Sequence, residues 1–355
     1  MPFTFLGILL FQNGYPNDTR QTNGNPYDTC KTKVRILSVD GGGIRGLIPA
    51  LILAAIERLT EKPVSSLFDL IAGTSTGGIL ALALCVPNRN GEGPTHSASD
   101  VAQFYVDDGP LIFSRSVRYK VASVNGLLRS RYPSKPIEQV LEKFYGGSRL
   151  KDSLTSLLIP SYELRQRTPF FFRSSMAKVR ADYDYPMHIV ARSTSAAPTY
   201  FSPTEIANTS SASSYLLVDG GVFANNPAAC ALVEAKVQFP HASEITLVSL
   251  GTGTRAGGST PNGSSTWGVA QWARPILNTV LDGVSSTVHY QLSQLLPPHQ
   301  DGTARYFRLQ PTLAGHGADV DDTRPAHMTQ LKQTATSTIE QNHRELETLC
   351  RELTS

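Results

Sequence analysis

The stretch Phe68-Asp69-Leu70-Ile71-Ala72-Gly73-Thr74-Ser75-Thr76-Gly77-Gly78 constrains the fold more than any other part of this chain. An apolar run, Leu70 to Ala72, stops at Gly73, and a helix-compatible run, Ile79 to Val86, starts just after Gly78. Ser75 lies between them with glycines two residues away on each side, a G-x-S-x-G pattern. A serine at a sharp strand-to-helix turn needs small neighbours, because its own backbone is strained and the flanking chains pass close. Such a turn lifts the hydroxyl out of the sheet to a helix N-terminus, where the peptide dipoles favour developing negative charge. The pattern reads either as a nucleophilic serine or as a Gly/Ser/Thr turn that only joins two elements. Five-residue patterns recur by chance, so the other stretches decide.

Val34 to Val39 reads as a buried strand running into Asp40-Gly41-Gly42-Gly43-Ile44-Arg45-Gly46, followed by an apolar helix from Leu47 to Glu61 with Pro49 in its first turn. Gly41, Gly43 and Gly46 match the dinucleotide fingerprint G-x-G-x-x-G, which expects an acid about 20 residues on, at the end of a second strand. Glu57 and Glu61 fall on the first helix instead, and the second strand ends in the serine turn without an acid. The better reading is a nest of backbone N–H groups cradling an oxyanion, with Arg45 beside it as a fixed positive charge. Downstream, Tyr215 to Val218 repeats the theme: a short apolar strand, then Asp219-Gly220-Gly221. Asn226 is the expected N-cap of a helix from Ala228 to Val237.

Further strands are expected at Leu157–Leu164 and Phe170–Arg173, as antiparallel neighbours, and at Glu244–Leu250 and Tyr306–Leu309. Helices are expected at Asp100–Asp107 with Ser99 as N-cap, Lys135–Tyr145, Met187–Ala197, Trp267–Leu296 and Met328–Leu353; Ala207–Ser214 and Thr254–Ser265 read as loops. Strand alternating with helix, with acids and glycines at strand ends, predicts a mainly parallel sheet. Sites in such sheets collect at the carboxyl ends of strands, where Asp40–Gly43, Ser75 and Asp219 are all expected.

The net charge of +3 is too small to imply nucleic acid, and 40% hydrophobic residues suffice for a sizeable core. Cys30, Cys85, Cys230 and Cys350 form no Cys-x-x-Cys pair, so neither a zinc site nor any other metal is expected, and their usage suits a reducing, cytoplasmic compartment. No run approaches the roughly 18 apolar residues of a membrane span. Phe3 to Phe11 lacks the basic start of a signal peptide and reads as an N-terminal arm. Residues 109–137 carry Arg115, Arg118, Lys120, Arg129, Arg131 and Lys135, with no acid after Asp108 and with aromatic and leucine residues between them. This segment reads either as a solvated loop over the site mouth or as a flap for anionic lipid, which would make the protein peripheral at a membrane.

An acyl-transfer site needs a nucleophile, a base and oxyanion donors. Ser75 and the Gly41–Gly43 nest supply the first and last. The base is either Asp219 acting directly or a histidine; the order Ser75, Asp219, His289 also fits a Ser-His-Asp triad, though His289 falls within an apparent helix.

Together, Asp40 to Gly46, Gly73 to Gly77 and Asp219 to Gly221 resemble the three motifs of the patatin-like phospholipases, in the family's order. Ala191 to Phe201 and Phe223 to Pro227 also look like that family. The resemblance implies a three-layer α/β/α fold and a Ser75–Asp219 dyad that hydrolyses phospholipids or related acyl lipids, with no histidine, metal or cofactor. Gly41, Gly42 and Gly43 would hold the oxyanion with Arg45 close by, and Gly46, Gly73, Gly77, Gly220 and Gly221 would support the turns. It suggests an arm at 1–32, a catalytic domain at 33–255 and a mostly helical extension at 256–355 packed on it. Two alternatives stand beside it: a silent lipid-binding module, and an enzyme that waits for a small activating ligand.

Overall fold

The computed structural model describes residues 31–116, 119, 129–208, 213–255, 275–313 and 319–355. Strand β1, Lys33–Val39, has apolar side chains on both faces: Val34 and Ile36 on one, Leu37 and Val39 on the other, all buried. A strand is apolar on both faces when helices cover both, as in parallel sheets. Accordingly β2 (Leu70–Gly73) and β7 (Glu244–Leu250) flank β1 in parallel. Beyond them β3 (Ser156–Glu163) pairs parallel with β2, and β9 (Tyr306–Leu309) parallel with β7.

One layer of helices contains α1 (Leu47–Thr60), α2 (Thr76–Ala83), α3 (Ala98–Asp107), α4 (Ser134–Tyr145) and α5 (Met187–Thr194). It shares a core with Leu37, Val39, Ile71, Val248 and Leu250. The opposite layer, α6 (Ala228–Gln238) and α7 (Pro275–Leu295), packs on Val34, Ile36, Leu70, Ala72 and Leu247. This is the expected three-layer α/β/α arrangement around a mainly parallel sheet. Two C-terminal helices, α8 (Pro325–Gln341) and α9 (His343–Thr354), bury Leu331, Ala335, Leu346 and Leu349 in the same core as α1. Burying each such leucine contributes about 1.5–3 kcal/mol.

The remaining strands of the sheet run antiparallel. β4 (Thr168–Arg173) returns along β3 as expected, β6 (Ser214–Asp219) also pairs antiparallel with β3, and β5 (Thr204–Ala207) pairs with β6. The register fixes where β6 lies. Ser161, Tyr162 and Glu163 pair with both β4 and β6, so those two strands take opposite edges of β3. Leu158 pairs with both β2 and β4, so β2 and β6 share one edge. They meet head to head along it, with their carboxyl ends facing each other across Pro160. Asp219 therefore does not sit at the end of a parallel strand, as the sequence suggested; an antiparallel strand carries it in from the other side. A separate parallel ribbon joins β8 (Thr254–Arg255) to β10 (Thr312–Leu313).

Several sequence-based boundaries move. Helix α3 is capped by Ser97 rather than Ser99: Asp100 N–H donates to the Ser97 hydroxyl while Ser97 N–H donates to the Asp100 carboxylate at 2.8 Å, a reciprocal box. Pro227, not Asn226, occupies the N-cap of α6, although the Asn226 side chain still accepts from Ala228 N–H at 3.1 Å. The expected single helix at Met328–Leu353 is two, broken at Asn342, whose side-chain amide donates to the Thr338 carbonyl at 2.8 Å. Strand β5 and the one-turn helix Gly221–Ala224 were not foreseen. The first part of Trp267–Leu296 lies outside the described residues, as do most of Thr254–Ser265 and the arm up to residue 30. Among the described residues no helix is long and apolar enough to cross a membrane.

Candidate active site

Ser75 stands at the head-to-head junction of β2 and β6. Its φ of 55° and ψ of −121° place a non-glycine residue in a conformation L-residues seldom adopt. The elbow is possible because the chains beside it touch backbone to backbone. A Cβ on Gly73 would lie 2.1 Å from the Gly77 carbonyl oxygen, and one on Gly77 would lie 2.2 Å from the Val39 carbonyl oxygen. The two glycines of G-x-S-x-G are thus dictated by close approach to each other and to the end of β1. Gly46 and Gly220 are equally confined, against Thr76 and Tyr105 and against Pro160 respectively.

Thr194, at the end of α5, fills the gap between the two strands. Its hydroxyl donates to the Pro160 carbonyl at 2.6 Å and accepts from Ser75 N–H at 3.0 Å. Thr74 donates to the Ala224 carbonyl at 2.7 Å, tying the elbow to the turn after Asp219. Ser75 is half-buried, and its side chain lies near enough to the Asp219 carboxylate to favour its charged form. Asp219 itself is 5% exposed. Burial pushes its carboxyl up to about 6, against the opposing pull of the nearby Ser75 side chain and of Gly221 N–H, which donates to it at 2.7 Å. A buried carboxyl of this kind accepts a proton near neutral pH, which an exposed aspartate does not.

The glycine loop lies alongside. Gly41 N–H donates to the Asn225 carbonyl at 2.9 Å, so Gly41, expected among the oxyanion donors, has its N–H committed elsewhere. Gly42 and Gly43 N–H meet no acceptor among the described residues. Gly43 has φ of 59°, and a Cβ there would strike the Val320 carbonyl at 2.1 Å. The same carbonyl accepts from Ile44 N–H at 2.8 Å, so a segment from the far end of the chain closes the loop. Arg45 donates to the Gly42 and Gly253 carbonyls, each at 3.3 Å, and so braces the loop as well as charging it. Thr252 donates to the Gly41 carbonyl at 2.7 Å. Asp40, ahead of the glycines, is buried in a forked pair with Arg308 of β9.

His289 is not brought to this site. It is exposed on α7, with Nδ1 3.2 Å from the Tyr306 hydroxyl. Among the described residues no histidine bonds to Ser75 or Asp219, and no cluster of His, Cys, Asp and Glu converges as for a metal. Residues 117–118 and 120–128 of the basic segment lie outside the described residues. In the rest, Arg115 and Arg131 each place a guanidinium 5.7 Å from the Tyr132 ring centre. Arg131 pairs with Asp321 at 2.9 Å, and the Tyr132 hydroxyl donates to the same carboxylate at 2.7 Å. The acid that the segment lacks in sequence comes from the residue after Val320.

Thr194, Asn225, Arg308 and Val320 were missed as site residues. Thr194 and Asn225 lie in the two segments singled out as family-like. A lone arginine in the apolar strand Tyr306–Leu309 was the only sign of Arg308, and Val320 acts through its backbone, which leaves no sign.

An elbow serine beside a buried carboxylate, at a strand junction of an α/β/α sheet, places the chain among α/β proteins of hydrolase type. The patatin-like phospholipase family model matches residues 37–232. Patatin-like protein 1 of Oryza sativa subsp. indica is 35% identical, over 84% of this chain and 79% of its own. Patatin-like protein 2 of Arabidopsis thaliana is 34% identical, over 81% and 78%. A Solanum tuberosum relative called probable inactive patatin-3-Kuras 1 is 33% identical, over 88% of each. Among solved structures, VipD from Legionella pneumophila overlays with a TM-score of 0.40 at 10% identity, covering 88% of this chain and 68% of that one, too distant to bear on the assignment. The chain belongs to the patatin-like phospholipase family.

Proposed function

We propose that the protein hydrolyses acyl esters of phospholipids or related lipids with a Ser75–Asp219 dyad. The observation that carries this reading is the elbow serine set beside a buried carboxylate, whose carboxyl burial raises to about 6. In the first half-reaction Ser75 Oγ attacks the ester carbonyl and its proton passes to Asp219. The carbonyl oxygen becomes an oxyanion, received by the N–H groups of Gly42 and Gly43, with the Arg45 charge nearby. Collapse of this intermediate breaks the bond to the lysolipid oxygen, which leaves with the proton held by Asp219. In the second half, Asp219 takes a proton from water, the hydroxide attacks the acyl-serine, and the proton returns to Ser75 as the fatty acid departs.

The family and the intact serine and aspartate support this reading, and the basic segment suits an anionic membrane surface as the place of action. The test is mass spectrometry of the intact protein after treatment with a fluorophosphonate. A single adduct at Ser75, kept in His289→Ala and lost in Ser75→Ala, is expected, together with ester hydrolysis that Asp219→Asn abolishes. Full activity in Asp219→Asn would remove the dyad. The relative called probable inactive motivates a second reading, a silent lipid-binding module. Absence of any adduct would favour that reading, or an enzyme awaiting an activating ligand.

A further inference from the structure

We propose that Arg308 is a positioning residue for acyl transfer: by taking both oxygens of Asp40, it keeps that carboxylate off Gly42 N–H and leaves this donor free for the oxyanion. The inference rests on the dyad reading and extends it to a side chain that touches neither substrate nor Ser75.

The chain contains the sequence Asp-Gly-Gly twice, at Asp40-Gly41-Gly42 and at Asp219-Gly220-Gly221. Aspartate side chains characteristically accept a hydrogen bond from the backbone N–H two residues on. Asp219 does so, with Gly221 N–H donating to Oδ1 at 2.7 Å. Asp40 does not, although its sequence invites the same turn. Arg308 Nη1 donates to Asp40 Oδ1 at 2.9 Å and Nη2 to Oδ2 at 2.6 Å, and Nη1 also donates to the Ser249 hydroxyl at 2.7 Å. Asp40 N–H is anchored on the Leu250 carbonyl at 2.9 Å, and its carboxylate meets Arg308 of β9. Gly42 N–H is left without an acceptor among the described residues.

Stability alone gives little reason for the pair. Asp40 is 2% and Arg308 8% exposed, and a buried ion pair of this kind is commonly no more stabilising than apolar side chains of similar volume. Its distinctive effect is geometric. A planar fork fills both carboxylate oxygens at once, whereas a point charge would leave one free. Arg45 donates to the Gly42 and Gly253 carbonyls and acts on Asp40 through its charge, whereas the fork on both carboxylate oxygens comes from Arg308. In an unbraced loop the Asp40 carboxylate would compete with the substrate oxyanion for the same N–H, and would do so intramolecularly.

The experiment compares Arg308→Met with the double variant Asp40→Ala/Arg308→Met, reading kcat and KM on a nitrophenyl ester, with melting curves to establish folding. Loss of one oxyanion donor typically lowers kcat by about 10²- to 10³-fold. Arg308→Met is expected to lower kcat by about 10²-fold with KM within about threefold. Removing the competing carboxylate in the double variant should restore at least about tenfold of that loss, which a merely structural prop would not allow. Should Arg308→Met fail to fold, Arg308→Lys, which keeps the charge but not the fork, is read in the same way. Wild-type kcat in the single variant, a loss confined to KM, or a folded double variant no faster than the single would each overturn the proposal. A wild-type protein with neither hydrolysis nor a Ser75 adduct would overturn the dyad reading itself.

Discussion

Replacing Asp219 by asparagine should abolish activity and yet make the protein more stable at alkaline pH. The carboxyl is raised from 3.8 to about 6 in the fold, chiefly by burial. The folded protein therefore binds the Asp219 proton more tightly than the unfolded chain does. The resulting stability is fully present below pH 3.8, declines as the pH rises, and is gone above about 6, where the carboxylate is ionised and buried. The rise to about 6 corresponds to about 3 kcal/mol of lost stability at pH 8. An asparagine is neutral throughout and fits the same contacts, its oxygen accepting from Gly221 N–H and its amide donating to the Ser75 hydroxyl. Unfolding entropy of about 2.1 cal/mol/K per residue over 355 residues converts that advantage into a rise of about 4 °C in Tm. Thermal melts of both proteins should diverge at pH 8 and converge toward pH 4, while ester hydrolysis by the variant is lost at every pH. An Asp219→Asn protein that melts at or below wild type at pH 8, or whose advantage does not depend on pH, would refute the account of Asp219 as a buried, destabilised base.

The same raised carboxyl predicts that kcat falls about tenfold per pH unit below about 6, since the base must be deprotonated to accept the Ser75 proton; a pH–rate profile flat down to pH 4.5 would contradict this. Gly73→Ala should yield little folded protein, because the atom its methyl meets is the Gly77 backbone and not a movable side chain; normal expression with full activity would show that the elbow relaxes. Thr194→Val removes the acceptor of Ser75 N–H and the donor to Pro160, and should cost about 1–3 kcal/mol in denaturant unfolding as well as slowing fluorophosphonate labelling. Hydrolysis should be faster on anionic than on neutral vesicles and should decline with added salt if the basic segment meets lipid; equal rates would leave it a plain loop.

Much of the architecture was legible in local pattern. Glu244–Leu250 and Tyr306–Leu309 were read residue for residue, because a buried strand bounded by turn residues announces itself by composition alone. Boundaries failed where a side chain took over from periodicity. Ser97 outcompetes Ser99 as a cap because only Ser97 has a carboxylate three residues on that returns the bond, and Asn342 divides a continuous amphipathic pattern by bonding back to Thr338. β5 escaped notice because a short edge strand with an exposed glutamate in it, Glu205, has no apolar run to mark it.

The sequence by itself determined the chemistry available: a serine between glycines that only a tight elbow requires, an aspartate before Gly220 and Gly221, and a glycine loop rich in backbone donors. These are legible because each depends on its immediate neighbours. Tertiary structure alone decided how they meet. The antiparallel entry of β6 along the edge of β3 sets Asp219 against Ser75. Asn225 removes Gly41 from the free donors, and Val320 and Arg308, more than 260 residues downstream of the glycines they secure, shape the loop. Contacts between segments so far apart in the chain carry no local pattern, because they follow from the register of the sheet and the burial of charge, which exist only once the chain has folded.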